Sequence, residues 1–354
     1  MLTKDTRIRV LIVDDSAIVR RMLSDTLSAE PDLEVVGTAP DPVIAREKIQ
    51  RLKPDVLTLD IEMPRMDGLT FLKQLMQESP MPVVMISSLL QSSSRLAVEA
   101  LLHGAVDVVP KPGGPYSVAD LKASLPGKIR AAARARVRPS VAFAAQQVPR
   151  AKLPYTEISR VNHGQALIAM GASTGGTEAL RQVLTEMPAD SPPIVIVQHI
   201  PEVFSRAFAE RLDGCCHIHV KEAADGDEIR PGWALLAPGN FHLSVRRTPS
   251  GYRSVVATGP MVCYQRPAVD VLFDSVAESA GQHATGVILT GMGSDGALGL
   301  LKMRAAGART IAQDEESCVV FGMPREAIRV NAVQQVLPLN RIAHALCARS
   351  TPIL

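Results

Sequence analysis

Val10-Leu11-Ile12-Val13-Asp14-Asp15 is an unbroken apolar run that stops on two carboxylates. Such a run is expected of a strand buried on both faces of a parallel sheet. Four similar runs follow: Leu33–Gly37, Val56–Leu59, Val83–Ile86 and Val106–Val109. Between them lie amphipathic segments, among them Ala17–Leu27, Val43–Leu52, Thr70–Gln77 and Leu96–His103. Five β–α repeats predict a doubly wound parallel sheet over the first 125 residues.

The ends of these strands carry the chemistry. Asp14 and Asp15 end the first, Asp60 the third, Ser87 the fourth and Lys111 the fifth. Right-handed crossovers bring all strand C-termini to one edge, where ligands bind. Three adjacent carboxylates repel one another, and a hard divalent cation such as Mg²⁺ resolves that. The same cation would screen a phosphoryl group arriving at Asp60. Lys111 would pair with the phosphoryl oxygens, and Ser87 would donate a hydrogen bond to them. Taken singly, each residue has an ordinary alternative: Asp15 or Ser16 as a helix cap, Asp60 as a turn residue before Met63-Pro64.

Val10–Asp15, Leu59-Asp-Ile-Glu-Met-Pro-Arg-Met-Asp-Gly68 and Val109-Pro-Lys-Pro112 together resemble the response-regulator receiver domain. The resemblance implies a flavodoxin-like (βα)5 fold and phosphorylation of Asp60 by a histidine kinase. It also implies Mg²⁺ held by Asp15, Asp60 and the backbone of Glu62, with Asp14 assisting through water, Ser87 as switch hydroxyl and Lys111 on the phosphoryl group. One position departs from the pattern: Val108 stands where receivers often carry an aromatic switch residue.

Residues 126–163 change in texture. Lys128, Arg130, Arg134, Arg136, Arg138, Arg150, Lys152 and Arg160 face a single acid, Glu157, among Ala, Gln and Pro. The start of this stretch can extend the last receiver helix. The remainder reads as a solvated basic linker.

A second α/β pattern occupies residues 164–354. Ala166–Met170, Ile194–Val197, Ala234–Leu236 and Val287–Leu289 read as strands. Thr177–Leu184, Val203–Leu212, Val269–Ala280 and Ala297–Ala306 read as helices. A doubly wound, mainly parallel sheet is again expected, with a hairpin turning at Pro249-Ser250-Gly251. His217 and His219 alternate with Ile218 and Val220, as one face of a strand rather than as metal ligands.

Gly171-Ala-Ser173-Thr-Gly175 satisfies G-x-S-x-G, the spacing of a nucleophile on a tight strand-to-helix turn. A phosphate or dinucleotide loop would use the same helix N-terminus, but the Walker lysine and the G-x-G-x-x-G spacing are both missing. His199 follows the Ile194–Val197 run, and Asp295 lies between a strand and a helix. Ser173, His199 and Asp295 therefore share one sheet edge. A serine needs a base, and that base needs a carboxylate to fix its tautomer. The order Ser, His, Asp differs from that of α/β-hydrolases. Three alternatives stand beside this triad. His242 is a rival base, Asp295 is a possible cap for the helix from Ala297, and Met292 is either core packing or an oxyanion donor through its backbone N–H.

These motifs resemble the catalytic domain of the chemotaxis protein-glutamate methylesterase (CheB) family, from about Leu167 onward. Val197-Gln-His-Ile-Pro201, Leu236-Ala-Pro-Gly239, Leu289–Gly296, Ala312-Gln-Asp-Glu315 and Gly322-Met-Pro324 share in it. The resemblance implies hydrolysis of glutamate methyl esters on the cytoplasmic helices of chemoreceptors, with release of methanol, and deamidation of selected receptor glutamines. Ser173 would be nucleophile, His199 base, Asp295 orienting carboxylate, Met292 an oxyanion donor and Thr174 the nucleophile's neighbour. No metal is implied for the ester chemistry. The resemblance also implies that the unphosphorylated receiver packs over the esterase cleft. A phosphorylation-gated binding protein, with Ser173 serving docking, is the alternative from another class; turnover in Ser173→Ala separates the two.

Composition agrees with a cytoplasmic location. Asp5 and Arg7 interrupt any signal-like start, and no uncharged apolar run reaches the ~18 residues that span a bilayer. A net charge of +2 gives no reason to expect nucleic acid or membrane insertion. Five cysteines without a C-x-x-C pair are expected to be free, mostly buried thiols.

Overall fold

The computed structural model describes residues 7–113, 117–137 and 165–347. The chain forms two compact units, residues 1–144 and 145–354. Most of the expected linker lies outside the described residues.

In the first unit, β1 (Ile8–Val13), β2 (Leu33–Ala39), β3 (Val56–Asp60), β4 (Val83–Ser87) and β5 (Asp107–Pro110) form a sheet of order β2-β1-β3-β4-β5. Every pairing is parallel. All residues of β3 and β4 are buried, which is why they read as continuous apolar runs. The helices are α1 (Ala17–Ser28), α2 (Pro42–Leu52), α3 (Gly68–Glu78), α4 (Gln91–Leu102) and α5 (Val118–Ala133). Ser16, Asp41, Asp67 and Ser117 accept from backbone amides in the first turns of α1, α2, α3 and α5. Helix α5 runs on through Pro126 to Ala133. Lys128 and Arg130 therefore belong to a helix packed on the sheet. Lys128 meets Asp107, and Arg130 meets Glu30 and Asp32.

The second unit is built on seven parallel strands: β6 (Leu167–Ala172), β7 (Ile194–Gln198), β8 (His219–Glu222), β10 (Trp233–Leu236), β13 (Ala284–Ile288), β14 (Arg309–Gln313) and β15 (Gln335–Leu337). Their order is β15-β14-β13-β6-β7-β10-β8. The chain leaves β6 toward β7 on one side and returns to β13 on the other. The crevice above β6 is thus a topological switch point, the usual place for a site in an open α/β sheet. Flanking helices are α6 (Gly176–Thr185), α7 (Glu202–Asp213), α8 (Val269–Ala280), α9 (Ala297–Ala305), α10 (Met323–Arg329) and α11 (Leu339–Cys347). A small antiparallel sheet holds β9 (Glu228–Ile229) beside the hairpin of β11 (His242–Thr248) and β12 (Gly251–Ala257). Thr248 pairs with Gly251, so the hairpin turns at Pro249-Ser250.

The His219 ring stacks on Trp233 at 4.5 Å between centroids, a packing role. None of the five cysteines is in a disulfide, but they are not mostly buried. Cys216 and Cys318 are, while Cys263 sits on an exposed turn and Cys347 at the exposed end of α11. No helix among the described residues is long and apolar enough to cross a membrane.

Candidate active site and phospho-acceptor pocket

The first unit brings its predicted residues to the edge formed by the ends of β1, β3, β4 and β5. Asp14, Asp60 and Ser87 are fully buried there. The Lys111 Nζ lies 2.7 Å from Asp60 Oδ2 and 3.1 Å from Asp14 Oδ2. Asp14 Oδ1 accepts from the Ser16 N–H at 2.9 Å, and Ser16 itself caps α1. Asp15 is exposed, and its carbonyl accepts from Arg20 at 2.9 Å. The Glu62 N–H donates to Asp60 Oδ1 at 3.2 Å. Ser87 Oγ donates to the Ser88 carbonyl at 3.2 Å and to the Ser93 carbonyl at 3.4 Å, and Ser93 Oγ in turn meets the Glu62 carboxylate. Val108, at the position discussed above, is buried.

Burial pushes the Asp60 pKa up to about 6, against the pull of Lys111 and with help from the Asp14 charge. Asp14 is raised for the same main reason. Burial alone would lower the Lys111 pKa, but Asp60 and Asp14 outweigh it and lift it. One oxygen each of Asp14, Asp15 and Asp60 lie within 4.8 Å of one another. The Oδ2 atoms of Asp14 and Asp60 are buried and meet the Lys111 ammonium at ion-pair distance, without a well-aligned hydrogen bond. This donor set of hard oxygens suits Mg²⁺.

In the second unit, Ser173 sits on the turn from β6 into α6. Its N–H donates to the Thr290 carbonyl at 3.0 Å, which ties the turn to the end of β13. Its carbonyl accepts from the Gly176 N–H at 2.7 Å and the Gln198 amide at 2.8 Å. Gly175 adopts φ 76°, and a Cβ there would meet the Val319 side chain at 2.5 Å. Only glycine meets both demands of this tight turn. A Cβ at Gly291 would come within 2.7 Å of the Ser173 Cβ, so a side chain at that position would crowd the serine.

His199 follows β7, its N–H bonded to the Ala172 carbonyl at 3.0 Å. Its Nε2 lies 2.8 Å from Asp295 Oδ2, while its Nδ1 is buried without a hydrogen-bond partner. A carboxylate at Nε2 places the proton there and leaves the Nδ1 lone pair available as a base. Asp295 is only 2% exposed. It also accepts from the N–H groups of Val269 at 2.7 Å and Asp270 at 2.9 Å. These are the first two amides of α8. The helix that Asp295 caps is therefore α8, not the one starting at Ala297, which begins on Gly296 at φ 88° with no side-chain cap.

His242 is not equipped as a rival base. Its Nε2 lies 2.9 Å from the Pro260 carbonyl, and its Nδ1 accepts from the Ala268 N–H at 3.2 Å. Met292 is half-buried, and among the described residues its N–H makes no hydrogen bond. Thr174 is buried, and its carbonyl accepts from Thr290 Oγ1 at 3.0 Å.

Sequence reasoning missed Gln198. Its carboxamide bonds the carbonyls of both Ser173, at 2.8 Å, and His199, at 3.1 Å, and so joins the two residues through their backbones. The signal was a polar amide closing an otherwise apolar strand run. The α8 amides on Asp295 carry no side-chain signal, because they are backbone groups.

The description "CheB methylesterase" belongs to a family model matching residues 168–346, and "Response regulator receiver domain" to one matching residues 10–122. The protein-glutamate methylesterase/protein-glutamine glutaminase 2 of Syntrophus aciditrophicus (strain SB) is 55% identical over 340 residues, covering 96% of this chain and 98% of that protein. The protein-glutamate methylesterase/protein-glutamine glutaminase 1 of Geobacter metallireducens is 53% identical over 345 residues, covering 96% of this chain and 95% of that protein. Among solved structures, the Thermotoga maritima CheB methylesterase catalytic domain aligns with a TM-score of 0.51 at 39% identity, covering 52% of this chain and 97% of its own. The chain thus belongs to the CheB methylesterase family, with a response regulator receiver domain ahead of its methylesterase domain.

Proposed function

We propose that this protein is a cytoplasmic, phosphorylation-activated protein-glutamate methylesterase and protein-glutamine glutaminase acting on chemoreceptors. The observation that carries the chemistry is the His199–Asp295 pair, with a buried, unpartnered His199 Nδ1, at the sheet edge that also holds Ser173. The receiver runs to the end of α5 at Ala133, so the tether begins after that helix rather than at residue 126, and residues 164–354 act as catalytic domain.

Ser173 Oγ attacks the carbonyl carbon of a glutamate methyl ester while His199 Nδ1 takes its proton. The oxyanion that forms accepts the free Met292 N–H, beside Thr174. Collapse breaks the ester C–O bond, and His199 returns the proton to the departing methanol. Water, activated by the same base, then hydrolyses the acyl-serine to free glutamate. On glutamine the same steps release ammonia. Asp295 holds the imidazole and stabilises it when charged.

In the receiver, the Asp60 carboxylate takes a phosphoryl group from the phosphohistidine of a chemotaxis kinase, forming P–O as P–N breaks. Asp15, Asp60 and the Glu62 backbone, with Asp14 through water, would hold Mg²⁺, which when bound would neutralise charge on the phosphoryl oxygens. Lys111 and Ser87 contact the same oxygens. The pocket differs in charge between the two states, and that difference must couple to turnover for phosphorylation to activate.

Reaction with a fluorophosphonate, read by peptide mass spectrometry, tests the nucleophile. The adduct is expected on Ser173 and is expected to be lost in His199→Ala. An adduct on another residue counts against the assignment.

A further inference from the structure

Arg266 lies on the loop between β12 and α8, three residues ahead of Val269, whose N–H holds Asp295. Its Nε and Nη2 donate to Asn240 Oδ1 at 3.0 and 2.6 Å, and its Nη1 donates to the Gly259 carbonyl at 2.6 Å. Both partners are neutral. Among the described residues no carboxylate lies within ion-pair distance of this guanidinium. A guanidinium has five N–H groups, so the three bonds leave about two free.

Asn240 connects this arginine to the other side of the catalytic dyad. Its backbone N–H donates to the Arg266 carbonyl at 3.1 Å, and its Nδ2 reaches Glu202 at 3.4 Å, three residues beyond His199. The amide thus faces a cation with its oxygen and an anion with its nitrogen. This fixes its orientation, and Glu202 makes no ion pair with Arg266. The arginine is held in place yet left with its charge uncompensated.

The same loop carries a strained turn. Val262 and Gln265 exchange backbone hydrogen bonds at 3.1 and 2.9 Å. The two residues between them, Cys263 and Tyr264, have φ 52° and 61°, although neither is glycine. Backbone of this kind persists where the surroundings hold it, and it concentrates at binding sites. Tyr264 is 94% exposed at the tip.

We propose that Arg266 is a specificity-determining residue that binds a carboxylate side chain flanking the esterified glutamate on the substrate protein. A planar guanidinium with spare N–H groups is suited to a carboxylate in two-point contact. The inference rests on the esterase reading above, because it needs the substrate to lie across the dyad. Arg266 touches no reacting atom, so its effect falls on substrate binding.

The test is methanol release from methylated chemoreceptor membranes, as a function of substrate concentration, at low and at high salt. Arg266→Gln is expected to raise KM about tenfold, to keep kcat within about twofold, and to lose most of the salt dependence of kcat/KM. Arg266→Lys keeps the charge without the fork and is expected to fall between. Replacing the acidic residues beside the methylated glutamate with their amides is expected to raise the wild-type KM to the Arg266→Gln value, with no added effect in the combination. Equal KM and salt slope in wild type and Arg266→Gln would overturn the proposal, as would independent, additive effects of the two changes. If Arg266→Gln does not fold, Arg266→Lys with the amidated substrate decides on the same criteria. No methanol from wild type at all would count against the esterase reading instead.

Discussion

His199 presents Nε2, not Nδ1, to Asp295, at 2.8 Å. The opposite nitrogen, Nδ1, is left without a hydrogen-bond partner. The carboxylate that fixes this tautomer is itself fixed by the two leading amides of α8. Asp295→Asn keeps the shape but allows the amide to present N–H toward Nε2, which moves the imidazole proton onto Nδ1 and removes the base. A fall in kcat of about 10³–10⁴-fold is expected, with little change in KM. Steady-state methanol release checks this.

Gln198 joins the Ser173 turn to His199 through two backbone carbonyls. Gln198→Ala removes the side-chain donor from the His199 carbonyl and one of two donors from the Ser173 carbonyl, which keeps the Gly176 N–H. A stability loss of about 1–3 kcal/mol is expected. A fall in kcat larger than any rise in KM is also expected, because the reacting atoms drift while the substrate surface is unchanged. Urea unfolding and steady-state kinetics on one preparation separate the two effects.

His242 and His199 should respond differently to truncation. Both nitrogens of His242 are engaged with backbone groups, so His242→Ala is expected to cost about 1–3 kcal/mol of stability yet retain turnover. His199→Ala is expected to fold normally and to lose turnover. Thermal melts beside methanol release test the pair, and an inactive, stable His242→Ala would reverse the assignment.

The Asp60 pKa of about 6 sets a pH dependence in the receiver. Below that value the carboxyl holds a proton that Mg²⁺ must displace. Mg²⁺ affinity is therefore expected to be about tenfold weaker at about pH 5 than at about pH 7.5. Without Mg²⁺ the sign for stability is the reverse of the usual carboxylate case. The folded state keeps a proton that the unfolded chain has released, so the pocket's contribution declines as pH rises from about 4 through about 6. Calorimetric titration of the full chain at the two pH values measures the affinity. Asp60→Asn is expected to abolish the difference.

Much of this was legible in the sequence because it is periodic or terminal. The fully buried strands β3, β4, β6 and β7 read as apolar runs, and the polar residues that close β3, β4 and β7 mark one edge. Strands β14 and β15 and helices α10 and α11 escaped notice. Arg309 and Thr310 break the β14 run, and Gln335 and Val336 of β15 are exposed, so neither strand reads as a buried core segment. The stretch after residue 125 was open to extending the last receiver helix, but the boundary drawn there fell short of Ala133, because Pro126 normally signals a stop and here lies inside the helix. The target of Asp295 could not be read from its neighbours. It caps a helix 26 positions earlier, and only the fold brings the two together.

The central claim is that Ser173 and His199 hydrolyse the ester under control of Asp60. The most direct measurement is methanol release from methylated chemoreceptor membranes by wild type, Ser173→Ala and Asp60→Asn, each with and without a small phosphodonor and Mg²⁺. Turnover by wild type is expected to rise with the phosphodonor. It is expected to vanish in Ser173→Ala, and in Asp60→Asn it is expected to persist at its basal level without stimulation. Undiminished turnover in Ser173→Ala, or no turnover by phosphorylated wild type on membranes shown to bind it, would contradict the account.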